Sequence, residues 1–494
     1  MNTVHETDVA ILGAGPAGLA AALRLRQLDY RVALVDKADL PRPNIGESLT
    51  PGVPAILASL EADDVLAQVP QRATQRVLRC WESTDAAWSV RENAPHIIVD
   101  RSQWDLALLE LARSRGVHAL TGVASVTIDG TAGAWWIETG SAQHRIRAKW
   151  ILDARGRRCA RDTVALAPPL LALWTDLPHT GVPEVRIEAA MDGWLWGAPL
   201  PNGAYRLMAF CDPRTRRAGP GRSPKPGEWL SATVRRSQMF RTWADDCQSA
   251  TIATCGATPY LRGDGWLPGC LTLGDAAFAV DPISSSGVEK AMRYSLQAVA
   301  ALHTVMTEPG DASMAHAFLQ ERLIETAARH AQWTERTYAG AWPAKSQPFW
   351  LDRSVSFTAQ MRDDGFDPLR RRVERARVAA ASDPATPVGD TPLLETALFR
   401  RVRVDNELRL VDTPCLVDDR VRRRAAISHP RLTRPVAFVD GVELAPLLAS
   451  LRYVDHLHQW LDWCTYTMPR AQALGVAGWL LHHGLIVADD GARA

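Results

Sequence analysis

Apolar residues fall along this chain in short runs between glycine-rich turns and amphipathic stretches, the alternation expected of an α/β protein. Val9-Ala10-Ile11-Leu12 is fully apolar, the pattern of a strand buried on both faces of a parallel sheet. Gly13-Ala14-Gly15-Pro16-Ala17-Gly18 then turns the chain, and Leu19 to Gln27 is predicted to continue as a helix. Tyr30 to Val35 reads as a second strand ending on Asp36. Each glycine has a mechanical reason in this register. Gly13 makes the tight turn, Gly15 lets a pyrophosphate approach the backbone, and Gly18 lets helix and strand pack closely. The helix start, with Pro16 and Ala17, turns unpaired N–H groups and a positive dipole end toward the phosphates. Asp36 lies about twenty residues on, where a carboxylate accepts hydrogen bonds from a ribose. Strand, loop, helix, strand and acid in register predict dinucleotide binding.

Two later apolar strands are read. Ile151-Leu152-Asp153-Ala154-Arg155-Gly156-Arg157 is one, ending in Asp-Ala-x-Gly, and Gly269 to Leu273, followed by Gly274-Asp275, is the other. Asp281-Pro282-Ile283-Ser284-Ser285-Ser286-Gly287-Val288 opens a helix running through Met306. On its own Asp275 could be a helix cap. Paired with the small, hydroxyl-rich loop, it suits a polyol chain beside an anionic ring edge, to which the loop offers backbone N–H groups.

Between these halves, proline and glycine keep residues 37–52 irregular, with Gly46-Glu47-Ser48 before a helix at Val53 to Leu60. Ile97 to Ala112 reads as strand, turn and helix, with Arg101 at the junction. Val117 to Thr121 and Ala124 to Ile128 suggest further strands. In Gly193-Trp194-Leu195-Trp196-Gly197-Ala198-Pro199 the two tryptophans share one face of a strand and make a flat apolar wall. Ala312 to Tyr338 is helical, and 340–425 is irregular and arginine-rich. Helices are expected at 445–452, 454–465 and 468–482, closed by a strand at Gly484 to Val487. The predicted fold class is α/β: a discontinuous, Rossmann-like dinucleotide-binding domain with an inserted β-sheet substrate domain and a small, mainly helical C-terminal domain. Its expected parts are 1–160 and 255–340 (dinucleotide-binding), 161–254 (substrate domain), 341–435 (irregular or helical connection) and 436–494 (C-terminal domain).

Composition narrows the function classes. At 494 residues the chain is too long for one core. A hydrophobic content of 47% with 22% charged residues is globular. A formal net charge of +1 gives no reason to expect nucleic acid or an acidic membrane as partner. The cysteines show no CxxC pairs, so neither a zinc site nor a disulfide framework is indicated. Residues 9–25 lack a basic leader, and no apolar run reaches the roughly eighteen residues of a membrane span. A cytoplasmic enzyme is expected.

The paired motifs resemble the FAD-binding halves of aromatic hydroxylases and flavin-dependent halogenases, in which a substrate-domain insertion separates them. Gly-Glu-Ser at 46–48 and the GWxWxxP pattern at 193–199 resemble the halogenases and their monooxygenase relatives in particular. The resemblance implies FAD contacts from Gly13, Gly15, Pro16, Ala17, Gly18, Asp36, Lys37, Glu47, Ser48, Arg101, Gly274, Asp275, Pro282, Ser286, Gly287 and Val288. It also makes Trp194 and Trp196 the candidate flavin or substrate wall.

Flavin halogenases relay hypohalous acid to a lysine between the Gly-Glu-Ser loop and the strand that leads to the arginine. This chain has lysine only at 37, 149, 225, 290 and 345, so that stretch holds none. Arg76 or Arg79 cannot substitute, because a guanidinium stays protonated and is a poor nucleophile. What remains is hydroxylation of an aromatic ring through a flavin C4a-hydroperoxide, with molecular oxygen as co-substrate. NADH or NADPH is the expected donor, docking without a second glycine fingerprint.

Among halogenase-like monooxygenases, the chain most resembles the flavoproteins that mature tryptophylquinone cofactors. This implies dihydroxylation of a peptidyl tryptophan, with the amine dehydrogenase small subunit as partner. The C-terminal unit resembles small winged-helix peptide-binding modules, and a plain capping domain fits it equally. An aromatic hydroxylase or halogenase-like enzyme on a small molecule, a flavin reductase of the geranylgeranyl reductase type and a non-enzymatic flavin-binding chaperone stay open. No general base stands out. His96, His118, His144 and His179 read as structural, and Glu188 and Asp192 have no better claim.

Overall fold

The computed structural model describes residues 3–90, 96–140, 144–178, 180–214, 225–344, 346–356, 367–381, 394 and 396–488. The chain divides into two compact units, residues 1–299 with 322–374, and residues 300–321 with 375–494.

The first unit is built on the expected parallel sheet. Strand Thr3–Leu12 pairs in parallel with Val32–Val35 on one side and His144–Asp153 on the other. Outside these lie His118–Leu120 and Cys270–Thr272, again parallel. Val9, Ala10, Ile11 and Leu12 are buried, as a doubly covered central strand requires. The helix Pro16–Gln27 starts earlier than its apolar periodicity suggests, with Pro at the first turn. The register puts Leu12 beside both Val35 and Asp153, and Asp153 beside Thr272. The glycine turn, Asp36, Ala154 and Gly274 therefore all leave the sheet at its carboxyl edge, the edge at which open α/β sheets bind ligands.

The second sheet is larger than an insertion of 161–254 would make it. Its order is Ala253–Gly256, Leu171–Leu177, Tyr205–Cys211, Gly193–Pro199, Val185–Ala190, Arg76–Cys80 and Ala87–Val90. The last two strands come from within the segment assigned to the dinucleotide-binding part. They join through a parallel pairing of Arg76–Cys80 with Val185–Ala190. A pairing over that sequence distance leaves no local signature, because a short, half-exposed strand reads like a loop.

The second unit also differs from its expected bounds. Residues 402–428, expected as irregular or helical connection, form strand Val402–Val404 and the hairpin Arg409–Val417 with Arg420–Ser428. Val402–Val404 pairs antiparallel with the closing strand Ile486–Ala488. The core under helices Leu444–Ser450, Leu457–Cys464 and Arg470–His482 includes Ala397, Val402 and Ile427, so this unit begins well before residue 436. Among the described residues no helix is long and apolar enough to cross a membrane.

Candidate functional site

The carboxyl edge of the parallel sheet opens into a cavity of about 930 Å³, bounded across from it by the second sheet. At the glycine turn, Gly13 has φ +110°, and a Cβ there would stand 2.4 Å from the Ala154 carbonyl oxygen. A Cβ on Gly18 would stand 2.0 Å from the Gly13 carbonyl oxygen, so these two positions exclude any side chain for packing reasons. Gly15 differs: a Cβ there would meet no atom within 4 Å, and the residue lines the cavity. No side chain caps the helix that follows, so its first N–H groups stay available to an anion. Pro16 and Ala17 line the cavity beside it.

Asp36 is buried at the end of its strand. It accepts hydrogen bonds from the backbone N–H of Ala14 at 2.6 Å and of Ala38 at 2.8 Å, and from Arg42 Nη1 at 2.8 Å. One carboxylate thus ties the glycine turn to the neighbouring loop. Lys37 lies exposed next to it on the cavity edge.

Gly274, Asp275, Pro282, Gly287 and Val288 line the same cavity from the other motif. Asp275 accepts from Arg157 Nε at 3.1 Å. Ser286 is not in the lining; its hydroxyl lies 2.7 Å from that of Ser284, and it is Ser285, at φ +52°, that faces the cavity.

Two expected cofactor residues are engaged with protein groups. Arg101 is buried, with Nη1 donating to the carbonyls of Ile45 and Gly46 and Nη2 to the Asp105 carboxylate at 3.2 Å. Its fork pins the Gly46 turn, and it lines the cavity through what remains. Glu47 accepts from its neighbour's backbone N–H and pairs with Arg206, which also forks onto Asp176 at 2.6 and 2.7 Å. Arg206 belongs to the second sheet, so Glu47 clamps the loop to that sheet. Ser48, in a short strand paired with Ile98, lines the cavity.

Trp194 and Trp196 do share a face, and both are buried and line the cavity with Ile187, Met208 and Phe210. Trp194 stacks on Phe210 at 3.8 Å between ring centroids and 12° between planes. Its indole Nε1 donates to Tyr338 Oη at 3.0 Å, and Tyr338 Oη lies 3.3 Å from both carboxylate oxygens of Asp281. Burial raises the Asp281 carboxyl to about 6 and drives the Tyr338 phenol well above its ordinary value. Nothing in the sequence marks Tyr338, which sits near the end of a long helix. Asp281 is part of a recognisable motif, but only its buried surroundings single it out.

The other titratable candidates are spent or outside. Glu188 accepts from Ser237 Oγ and from the backbone N–H groups of Gln238 and Met239. Asp192 is exposed in a hairpin turn, 3.8 Å from Arg236. His118 stacks on His5 at 4.0 Å, and His179 lies outside the described residues.

The residues present fit FAD. The open space before Gly15 is a cradle that a Cβ would fill, the uncapped helix start suits a pyrophosphate, and carboxylates stand at both ends where a ribose and a ribityl chain need acceptors. The sequence profile of the FAD dependent oxidoreductase family matches residues 8–157. The chain is 27% identical to the tryptophan 2-halogenase of Chondromyces crocatus over 347 residues, 65% of each chain and so less than two thirds of that relative's length. The solved structure of the peptidyl tryptophan dihydroxylase QhpG, essential for tryptophylquinone cofactor biogenesis, is similar with a TM-score of 0.70 at 24% identity, covering 97% of this chain and 100% of that one. The flavin-dependent halogenase CmlS is similar with a TM-score of 0.70 at 18% identity, over 98% and 96%. Motifs, cavity and matches agree: the chain has the fold of the flavin-dependent halogenases and is similar in sequence to flavin-dependent oxidoreductases of that group.

Proposed function

We propose that this protein is an FAD-dependent monooxygenase that hydroxylates an electron-rich aromatic ring, a tryptophan held within a polypeptide. The observation that carries the reading is the cavity lining. Lys37, beside Asp36 at the dinucleotide end, is the single lysine there among the described residues, and the far wall is apolar and aromatic. A relay of oxidised halide needs an amine near the substrate, and this wall offers none. Bound and reduced, FAD supplies the activation of molecular oxygen, with NADH or NADPH as donor.

The chain's own residues bind, orient and exclude water. The Gly15 turn and helix start take the pyrophosphate, Asp36 the adenosine ribose and Asp275 the ribityl chain. Ser285 and Gly287 line the cavity where the pyrimidine edge would lie; the N–H groups of Ser285 and Ser286 donate to Pro282 and Ser284, so the Gly287 N–H would be the one to meet it. Trp194, Trp196, Met208 and Phe210 form a flat, rigid wall against which a planar ring stacks, and their burial keeps the site dry. The likeness to QhpG over nearly the whole chain supports a polypeptide substrate, and the small subunit of an amine dehydrogenase is the proposed partner.

The test is mass spectrometry of that subunit after incubation with enzyme, NADH and oxygen. A gain of two oxygen atoms on one tryptophan is expected, with no brominated product when bromide and free tryptophan are supplied. An unmodified subunit, together with rapid turnover of a free small aromatic, would replace the peptidyl substrate by a small molecule.

A further inference from the structure

The wall behind the flavin cavity contains a second, smaller space. Asp281 borders the cavity and also a chamber of about 20 Å³, whose walls include His330, Thr334, Tyr338 and Arg353. That volume suits one water molecule, provided the site is polar. Its walls are mostly apolar, with Leu166, Pro168, Pro259 and Val355 among them, but Thr334 Oγ1 and Arg353 Nε are buried without a protein partner, and both residues line the chamber beside Asp281. Two orphaned polar atoms facing one water-sized space are unusual in a folded interior.

The hydrogen bonds around Asp281 have a direction. An indole N–H only donates, so Tyr338 accepts from Trp194 and turns its own proton to Asp281. Asp281 Oδ1 also accepts from the Ile283 N–H, which leaves Oδ2 the less engaged oxygen. The Asp281 backbone N–H donates to His330 Nε2 at 3.0 Å, so this histidine carries its proton on Nδ1, and burial lowers its pKa to about 4 and keeps it neutral. The charged groups around this cluster are Arg353, paired at 3.8 Å with Asp212, Arg157 from the turn Gly156–Cys159, Lys290 acting on His330 from helix Gly287–Thr307, and the half-buried Glu335, which lines the chamber.

We propose that Asp281 and one water in this chamber form a proton exit from the flavin cavity. The proposal rests on the aromatic hydroxylation reading. When oxygen has been added to a ring carbon, that carbon must lose its hydrogen. The C–H bond breaks, its electron pair returns to the ring, and the proton forms an O–H bond on the Asp281 carboxylate. The carboxyl then passes a proton to the water held by Thr334 and Arg353. The water releases one outward past Val355, which lines the chamber and is 45% exposed. Tyr338 and His330 are positioning residues that aim the carboxylate.

Two measurements need no substrate. A crystal structure of the FAD-loaded protein is expected to show a water within hydrogen-bond distance of Thr334 Oγ1 and Arg353 Nε; an empty chamber overturns the proposal. Infrared titration is expected to show a carboxyl C=O band, absent from Asp281→Asn, that disappears only above the ordinary carboxylate range. Thr334→Val, nearly isosteric, removes an anchor of the water and is expected to move that midpoint up by about one unit, the effect of losing one hydrogen bond to the ionised form. An unmoved midpoint with the water still in place overturns the proposal. With an active enzyme, Thr334→Val is also expected to raise the solvent isotope effect on product formation. Chamber water and titration found in a protein that hydroxylates no aromatic would leave the proton path standing and sink the hydroxylase reading.

Discussion

Trp194 and Tyr338 stand 144 positions apart in the chain and are joined by a buried hydrogen bond of 3.0 Å from indole nitrogen to phenol oxygen. This bond fixes the indole that walls the flavin cavity, and through Tyr338 ties it to Asp281 in the motif loop. Trp81 crosses Trp194 edge-on at 6.4 Å and donates its own N–H to the Thr337 carbonyl, so the wall is braced twice by the same helix.

Tyr338→Phe should therefore cost stability without touching the dinucleotide half of the site. The buried Trp194 N–H loses its acceptor, and Asp281 loses a donor. An unpaired buried polar group costs about 1–3 kcal/mol, so a loss of roughly 2–4 kcal/mol is expected in urea unfolding. FAD content should stay at the wild-type level; a variant as stable as the wild type would show that the bond contributes nothing net.

Gly15→Asp and Gly18→Ala separate binding from folding. At Gly15 a side chain meets no protein atom, so Gly15→Asp should fold normally yet be purified without FAD, its carboxylate lying where the pyrophosphate would. At Gly18 even one methyl group collides with the Gly13 carbonyl, so Gly18→Ala should melt at lower temperature whether or not FAD is added. Flavin absorbance and thermal unfolding of both variants read the contrast, and normal flavin content in Gly15→Asp contradicts the assignment of that turn.

Asp281 makes stability depend on pH in a stated sense. Its carboxyl is raised from 3.8 to about 6 in the folded protein. Below pH 4 both states are protonated and the group adds nothing. As pH rises, the unfolded chain ionises first, so stability falls between about 4 and 6 and stays lower above that window. The shift corresponds to roughly 2–3 kcal/mol. Asp281→Asn, neutral throughout, should gain that amount relative to wild type between pH 4 and 7 in urea unfolding. A difference that does not vary with pH would mean that Asp281 ionises as an ordinary carboxylate.

The clamp at Glu47 makes a contrast between its two carboxylates. Glu47 is 4% exposed, while the Asp176 side chain is 40% exposed, and both pair with Arg206. Arg206→Met strands a buried charge and should cost about 3–5 kcal/mol. Asp176→Asn removes a screened partner and should cost no more than about 1 kcal/mol. Equal losses in thermal unfolding would refute the idea that Glu47 is the partner that matters.

What the chain determined by itself is whatever acts within one turn of backbone or one period of a strand. The apolar run 9–12, the glycines at 13, 15 and 18, and Asp36 specify a strand, a turn and a helix start from neighbouring residues alone, so the α/β class and the flavin-type sheet were legible. Trp194 and Trp196 share a face because strand periodicity is two. Only the tertiary structure decided what those residues meet. That Arg101 turns part of its fork to Gly46, that Glu47 answers to Arg206, and that Arg76–Cys80 joins the second sheet all depend on pairings over long sequence separations. Asp281 shows the division most clearly. The motif around it is written in local residues, but its raised pKa comes from burial, which outweighs the Ile283 and Tyr338 hydrogen bonds and the Arg353 charge that pull it down. Burial is a property of the packed interior, contributed by chain segments that no local pattern brings together.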